Sequence, residues 1–133
     1  MHANATNRKP EIIYPELSYK ITGLLFEVHN TLGRYAKEKQ YGDALESLFE
    51  KAGVRYEREK PLPIELIENQ RTNLADFAVE DKILLELKAK ELVTKEDYFQ
   101  IQRYLQAIHY KLGFVVNFRN KYLRPIRVIR ANS

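Results

Sequence analysis

The chain has 133 residues, of which 44% are hydrophobic and 30% are charged, and it contains no cysteine. These values indicate a folded globular chain, and they exclude disulfides, thiol catalysis, iron–sulfur clusters and Cys-based zinc sites. The net charge of +4 is uneven, because from Tyr98 onward the chain carries seven Lys or Arg and no Asp or Glu. Such a cationic block attracts polyanions, although it is equally consistent with a solvated basic face.

Two helices are predicted before residue 54. Apolar residues at helical spacing between Pro15 and Gly33 predict the first one, since proline favours a helix start and glycine follows a helix end. A second set from Tyr41 to Ala52 repeats this period and is followed by Gly53. We expect residues 1–10 to be a disordered tail, and residues 11–133 to form a single domain.

Beyond the second helix the hydrophobic period changes to two, which is typical of strands. Residues 54–59 and 64–67, on either side of a break with two prolines, predict a bent or edge strand. Residues 72–79 and 83–89 predict a β-hairpin, which would turn at the charged residues 80–82.

The remaining elements are a helix and two strands. Thr94, with Asp97 three residues later, predicts the capped start of a third helix that runs to about Tyr110. Residues 112–118 and 123–129 predict two final strands. The order of helix, helix, three strands, helix and two strands predicts an α/β fold, with a mixed sheet and helices packed on it.

Charged residues interrupt the apolar hairpin at Asp76, Glu86 and Lys88. Alternation puts Glu86 and Lys88 on one face of their strand. If residues 80–82 form a three-residue loop, Asp76 lies directly opposite Glu86, whereas a two-residue loop would put the two acids on opposite faces. The three-residue loop also aligns the apolar residues of both strands on one face, so we expect the three charged side chains to converge.

Two adjacent carboxylates repel each other, and a hard divalent cation between them would offset the repulsion. Mg²⁺ is commonly held by one or two carboxylates with waters and phosphate oxygens, and it lowers the pKa of bound water. A lysine beside it can orient that water or stabilise negative charge on a phosphate. On the residues alone, an ordinary ion pair of Glu86 with Lys88 on a solvated face, with Asp76 there by chance, stays an alternative.

The same residues resemble the PD-(D/E)XK nuclease superfamily, in which an Asp is followed by Glu-x-Lys across a hairpin and then by a helix with Gln-x-x-x-Tyr. The resemblance implies a restriction-endonuclease-like αβββαβ core with an extra N-terminal helix. It extends from about Leu17 to Ile129. A narrower likeness, to the small bacterial and archaeal GxxExxY proteins of that superfamily, rests on Leu17-Ser18-Tyr19-Lys20-Ile21-x-Gly23, Glu27-Val28-His29, Leu32-Gly33, Ala75-Asp76-Phe77 and Leu85-Glu86-Leu87-Lys88.

This resemblance implies a role for each charged residue of the hairpin. Asp76 and Glu86 would be ligands of Mg²⁺ or Mn²⁺, and Lys88 would be the catalytic lysine. Glu38, early in the second helix, would be the helix acid that completes the site. Tyr35 stands where the eponymous motif has glycine, so we expect a reshaped loop before that helix.

Other positions match the family pattern less directly. Gln100 and Tyr104 are four residues apart, hence on one helix face, and match Gln-x-x-x-Tyr; core packing is the alternative for Tyr104. Glu27 and His29 are accessory candidates from the first helix pattern. For His29 the alternative is a packed or hydrogen-bonded side chain.

We therefore expect a Mg²⁺- or Mn²⁺-dependent nuclease that acts on DNA. Its affinity for phosphates should weaken steeply with salt. The nucleic acid would be bound by Gln100, Tyr104, Arg103, Arg119, Lys121, Arg124 and Arg127.

The alternative is a catalytically inactive module that keeps the nuclease fold and binds nucleic acid or protein. A homodimer or a larger complex would then supply further contact area. No apolar run reaches the roughly 18 residues that span a bilayer, and the polar N-terminus lacks the apolar segment of a secretory signal. We accordingly expect a cytoplasmic protein without a membrane partner.

Overall fold

The structure is a computed structural model that describes residues 13–63 and 74–131. Within these ranges the order of helices and strands is the predicted one. The predicted tail at 1–10 and the strand segment at 64–67 lie outside the described residues. The elements are helix α1 (Pro15–Leu32), helix α2 (Glu38–Ala52), strand β1 (Tyr56–Pro61), strand β2 (Leu74–Val79), strand β3 (Ile83–Lys88), helix α3 (Lys95–Ile108), strand β4 (Leu112–Asn117) and strand β5 (Ile126–Ile129).

The five strands form one mixed sheet in the order β1-β2-β3-β4-β5. Strands β3 and β4 are parallel, and the other neighbouring pairs are antiparallel. A parallel pair needs a crossover connection, which α3 supplies. The mixed sheet flanked by helices confirms the predicted α/β fold class. In the described ranges no helix combines the length and the hydropathy that a membrane crossing needs.

The hairpin has the predicted register. Val79 pairs with Ile83, and Phe77 pairs with Leu85, so residues 80–82 form the three-residue loop. The apolar residues of the two strands therefore share one face, as the alternating pattern requires.

Helices cover both faces of the sheet. The core under α1 and α2 contains Leu25, Phe49 and Phe77, while the core under α3 contains Leu84 and Tyr104. All five side chains are at most 1% exposed. Because both faces are covered, the strands β3 and β4 are buried on both sides, which explains their nearly continuous apolar sequence.

Two strands are shorter or shifted relative to their predicted ranges. Strand β5 begins at Ile126 and not at Leu123, because Pro125 has no N–H to donate to a ladder. Strand β1 extends to Pro61 and lies at the sheet edge, where a terminal proline is tolerated. The predicted edge position is thus confirmed.

The packing of α3 on β4 can be tested at Gly113. A Cβ atom there would lie 2.6 Å from Ile101 Cδ1 and 3.3 Å from Leu84 O. Gly113→Ala is expected to lower the free energy of unfolding by about 1–3 kcal/mol, because the added methyl overpacks a filled core. Gly23→Ala is the matched control: no atom lies within 4 Å of its Cβ position in α1, so it should stabilise the helix by about 1 kcal/mol. Urea denaturation measures both, and an unchanged midpoint for Gly113→Ala would contradict this packing.

Candidate active site

The backbone ladder between β2 and β3 stops beside the two acids. Its last pair is Phe77 with Leu85. Beyond this pair the Asp76 N–H donates to Glu86 Oε2 at 2.8 Å, and the Leu87 N–H donates to Asp76 Oδ2 at 2.7 Å. Side-chain carboxylates thus replace the backbone carbonyls as acceptors, and each acid is held against the opposite strand. The two carboxylates meet in the gap between the strands.

Strict alternation predicts that the Asp76 and Glu86 carboxylates lie on one flat face of the sheet. In the structure they lie between the two strands instead. Ala75 and Ala78 are three residues apart, yet both pack in the core under α3, while Phe77 packs in the other core. On β1, Glu59 has a positive φ of 54°, and it is not paired with Asp76 in the otherwise regular ladder. This local irregularity turns Asp76 into the gap. The predicted convergence with Glu86 is confirmed, and its location between the strands is new.

Burial dominates the electrostatics of the pair. Glu86 is 4% exposed, and burial followed by repulsion from Asp76 raises the pKa of Glu86 to about 8. Burial also raises the pKa of Asp76 to about 6, despite the hydrogen bond from Leu87 and the nearby charge of Lys88. The charge of Glu38 adds repulsion at both carboxyls. The nearby charge of Lys88 therefore compensates only part of the negative charge of Asp76 and Glu86.

Asp76 borders a cavity of about 460 Å³ between the sheet and α2. Glu38, the first residue of α2, lines the same cavity, so the structure brings the predicted helix acid near Asp76. In the part of the chain that the structure describes, however, no three acidic or histidine side chains are grouped closely enough to hold a metal. Asp76 and Glu86, which contact each other's strands, are the two acids at this point whose oxygens could hold a metal ion.

The oxygens of this pair suit a hard divalent cation. One oxygen of each carboxylate accepts a backbone hydrogen bond. These two bonds are made by Asp76 Oδ2 and Glu86 Oε2 and do not involve the second oxygens, Asp76 Oδ1 and Glu86 Oε1. An all-oxygen set with few protein ligands fits Mg²⁺ or Mn²⁺, which keep several waters and bind phosphate oxygens.

Helix α3 fixes the position of Lys88, whose side chain is 19% exposed. Lys88 Nζ lies 3.7 Å from Asp97 Oδ1, and Lys90 Nζ lies 2.6 Å from Asp97 Oδ2. Although burial acts to raise it, hydrogen bonds from Lys90 and from the Thr94 N–H hold the pKa of Asp97 below its usual value. The sequence identified Asp97 only as a helix cap. Its ion pair with Lys88 depends on how α3 packs, which no local pattern reveals.

The pair Gln100 and Tyr104 lies on the side of α3 that faces the sheet. Tyr104 is 1% exposed and packs in the core under α3. Burial and the charge of Glu86 raise the pKa of Tyr104 to about 12, and Gln100 hydrogen-bonds to its side chain. Tyr104 is thus a core residue that also adjoins the acidic pair. Arg103, which directly precedes Tyr104 on α3, is exposed.

Three of the four predicted C-terminal cations lie at the same end of the sheet as Lys88. Lys88 pairs with Asn117 at the end of the parallel strand β4, and the connection that follows carries Arg119, Lys121 and Arg124. Lys121 and Arg124 are exposed.

Arg127 is not among them. It lies on β5, with its guanidinium carbon 5.8 Å from the Phe114 ring and beside Tyr19 of α1. Alternation along β5 turns its side chain to the face under α1, away from the connection with the other cations.

The two accessory candidates do not line the cavity. His29 Nε2 lies 2.9 Å from the carbonyl oxygen of Asn120, and its ring centroid is 6.2 Å from that of Phe118. Two roles were predicted for His29: an accessory site residue, or a packed or hydrogen-bonded side chain. The structure shows the second. Glu27 is exposed on α1.

Arg58 lines the cavity, although no predicted site role falls on it. Its Nη1 donates to Asp43 at 2.7 Å and to Glu46 at 2.9 Å, and it lines the cavity with Asp76. A signal was available, because alternation puts Arg58 on the same strand face as the apolar Val54. A charged residue at an inward position needs partners, and here α2 supplies them.

Comparisons with known proteins concern the family and the fold of the chain. The sequence model of the PD-(D/E)XK nuclease superfamily matches residues 15–129. The structure titled "Crystal structure of SSO0001" is similar, with a TM-score of 0.53 and 18% sequence identity over 98% of this chain and 73% of that chain. At this identity the likeness concerns the fold alone. No curated protein matches the chain.

The raised pKa values predict how the stability of the metal-free protein depends on pH. A carboxyl whose pKa is higher when folded binds its proton more tightly when folded. The stability that this provides at about pH 4 is lost as the pH rises through the folded values of Asp76 and Glu86. In chelator, the melting temperature is expected to fall between pH 5 and pH 8, and Glu86→Gln should remove most of this fall.

Differential scanning fluorimetry across this pH range measures the effect. The control is Glu91→Gln, because Glu91 is exposed and should leave the wild-type slope unchanged. An equal slope in the wild type and in Glu86→Gln would show that Glu86 is not a buried, repelled carboxylate.

Proposed function

Because the chain belongs to the PD-(D/E)XK nuclease superfamily, we propose that it is a metal-dependent nuclease that hydrolyses phosphodiester bonds of DNA with Mg²⁺ or Mn²⁺. The observation that carries the proposal is the pair of the partly buried Asp76 and the buried Glu86, which meets in the strand gap with Lys88 alongside. The proposal includes membership of the GxxExxY group, on the residues quoted above.

Asp76 Oδ1 and Glu86 Oε1 would hold the metal ion. When bound, such an ion lowers the pKa of a coordinated water and neutralises negative charge that develops on the phosphate. The pair suits this task because the protein leaves its charge only partly compensated. Since the strands fix both carboxylates through backbone hydrogen bonds, little reorganisation is needed on binding.

Lys88 would act on the water or on the phosphate. Its ammonium carries three N–H donors, and Asp97 fixes the side chain at 3.7 Å. It can therefore orient a nucleophilic water or donate to a phosphate oxygen as charge accumulates there. Glu38 lines the cavity that Asp76 borders. It would accept hydrogen bonds from the waters of the ion.

The basic end of the sheet would bind the DNA backbone. Exposed Lys121 and Arg124 and half-buried Arg119 follow β4, which ends beside Lys88. Cations at this end attract the phosphates toward the acidic pair, and the release of counterions drives the association. Contacts of this kind position the strand without reading its bases.

Asp76→Asn tests the proposal most sharply, because asparagine keeps the size of the side chain and removes the charge. Cleavage of labelled DNA with Mg²⁺ or Mn²⁺ is expected to fall by about 100-fold or more, as when one electrostatic stabiliser of a transition state is lost. The far-ultraviolet circular dichroism should stay unchanged. The control is Asp81→Asn in the exposed hairpin loop, which should cleave like the wild type.

Two results would contradict the proposal. Cleavage by Asp76→Asn at the wild-type rate, in a preparation whose controls are free of other nucleases, would remove Asp76 from the reaction. DNA binding by the wild type without cleavage, with either metal and with every DNA form, would favour the inactive module.

A further inference from the structure

An exposed aromatic ring lies between two arginines at the loop that enters α2. This ring belongs to Tyr35, which is 74% exposed. The guanidinium carbons of Arg34 and Arg119 lie 5.0 Å and 5.6 Å from the centroid of its ring. We refer to these three residues as the Arg–Tyr–Arg cluster.

The cluster joins two segments that are far apart in sequence. Arg34 Nε donates to the carbonyl of Arg119 at 2.8 Å, and Arg119 Nε donates to the carbonyl of Arg34 at 3.1 Å. Arg119 Nη2 also donates to the carbonyl of Ala89 at 3.4 Å. Since Ala89 follows Lys88, and Glu38 lies three residues beyond Tyr35, the cluster adjoins the proposed active site.

A single buried residue, Tyr41, fixes both segments. Its hydroxyl donates to the carbonyl of Gly33 at 2.6 Å and accepts from the N–H of Ala36 at 3.1 Å, which ties down the loop that carries Arg34 and Tyr35. Its ring stacks on Phe118, the residue before Arg119, at a centroid distance of 4.1 Å and an interplanar angle of 9°. The cluster is therefore preorganised, which lowers the entropic cost of binding a ligand.

The cluster carries uncompensated positive charge. Throughout the described residues, neither Arg34 nor Arg119 lies within ion-pair distance of a carboxylate. Two guanidinium groups beside one ring repel each other, and an anion between them would offset this repulsion. Guanidinium groups match phosphate oxygens in geometry, and an exposed ring offers a surface for stacking.

We propose that the Arg–Tyr–Arg cluster binds an unpaired nucleotide of the DNA, with the base stacked on Tyr35 and the adjoining phosphates bound by Arg34 and Arg119. The inference rests on the proposed nuclease function and names its substrate class: single-stranded DNA, or DNA with an unpaired segment next to the cleaved bond. A base inside a duplex is covered by its neighbours on both faces, so it cannot present a face to the ring.

The test measures DNA binding by fluorescence anisotropy in chelator, with Asp76→Asn as the parent protein so that no strand is cut. The ligands are a labelled single strand and a labelled blunt-ended duplex of equal total nucleotide number, in which every base is paired. Adding Tyr35→Ala should weaken binding of the single strand by about 5- to 150-fold, which corresponds to a stacking free energy of about 1–3 kcal/mol. The duplex affinity should change less than about twofold, since its contacts are with the backbone.

Two further variants complete the design. Tyr35→Phe keeps the stacking surface and should bind the single strand like the parent. Tyr19→Ala removes a tyrosine that is 84% exposed on α1 and should also bind like the parent.

The outcomes separate this inference from the proposed function. An equal loss for the single strand and the duplex, or no loss for either, would overturn the role of Tyr35, whereas the proposed function is decided separately by cleavage of DNA by the wild type. No binding of any DNA by the parent, even at low salt, would overturn both.

Discussion

The structure depends on one unfavourable contact, the approach of the buried Glu86 carboxylate and the partly buried Asp76 carboxylate in the gap between β2 and β3. Asp76 and Glu86 each accept a backbone hydrogen bond from the other strand, so the sheet continues through side chains where its backbone ladder stops. The geometry therefore holds the two charges together although they repel. Burial and repulsion raise both pKa values, so the ionised pair destabilises the metal-free protein, and the proposed cation would offset this.

Each neighbouring element adds one feature to this pair. Helix α2 supplies Glu38 to the cavity, and helix α3 supplies Asp97, which fixes Lys88. The parallel pairing of β3 with β4 directs the basic connection to the same end of the sheet. As a result, the acidic pair lies beside a positive surface, which is formed by Arg119, Lys121 and Arg124. In the proposed function, a phosphodiester backbone would be attracted by that surface and repelled by the acidic pair unless a metal ion lay between, so that substrate binding would be coupled to metal binding.

Much of this arrangement could be predicted from the sequence because it depends on local periodicity. Helical spacing with Pro15 and Gly33 defined α1, and the alternating pattern around a three-residue loop defined the register that brings Asp76 to Glu86. Other features depend on contacts between distant segments. The left-handed Glu59 interrupts the β1–β2 ladder opposite Asp76, and the packing of α3 pairs Asp97 with Lys88. Neither leaves a pattern along the chain, since both result from tertiary packing.

The most direct test is a titration with Mn²⁺, because it asks whether the carboxylates of Asp76 and Glu86 bind one divalent cation. Isothermal titration at neutral pH should show binding of Mn²⁺ to the wild type and a loss of that binding in Glu86→Gln. It should also show undiminished binding in Asp81→Asn, which changes an acid in the exposed hairpin loop. No binding to the wild type at millimolar Mn²⁺, or equal binding to the wild type and to Glu86→Gln, would contradict the account.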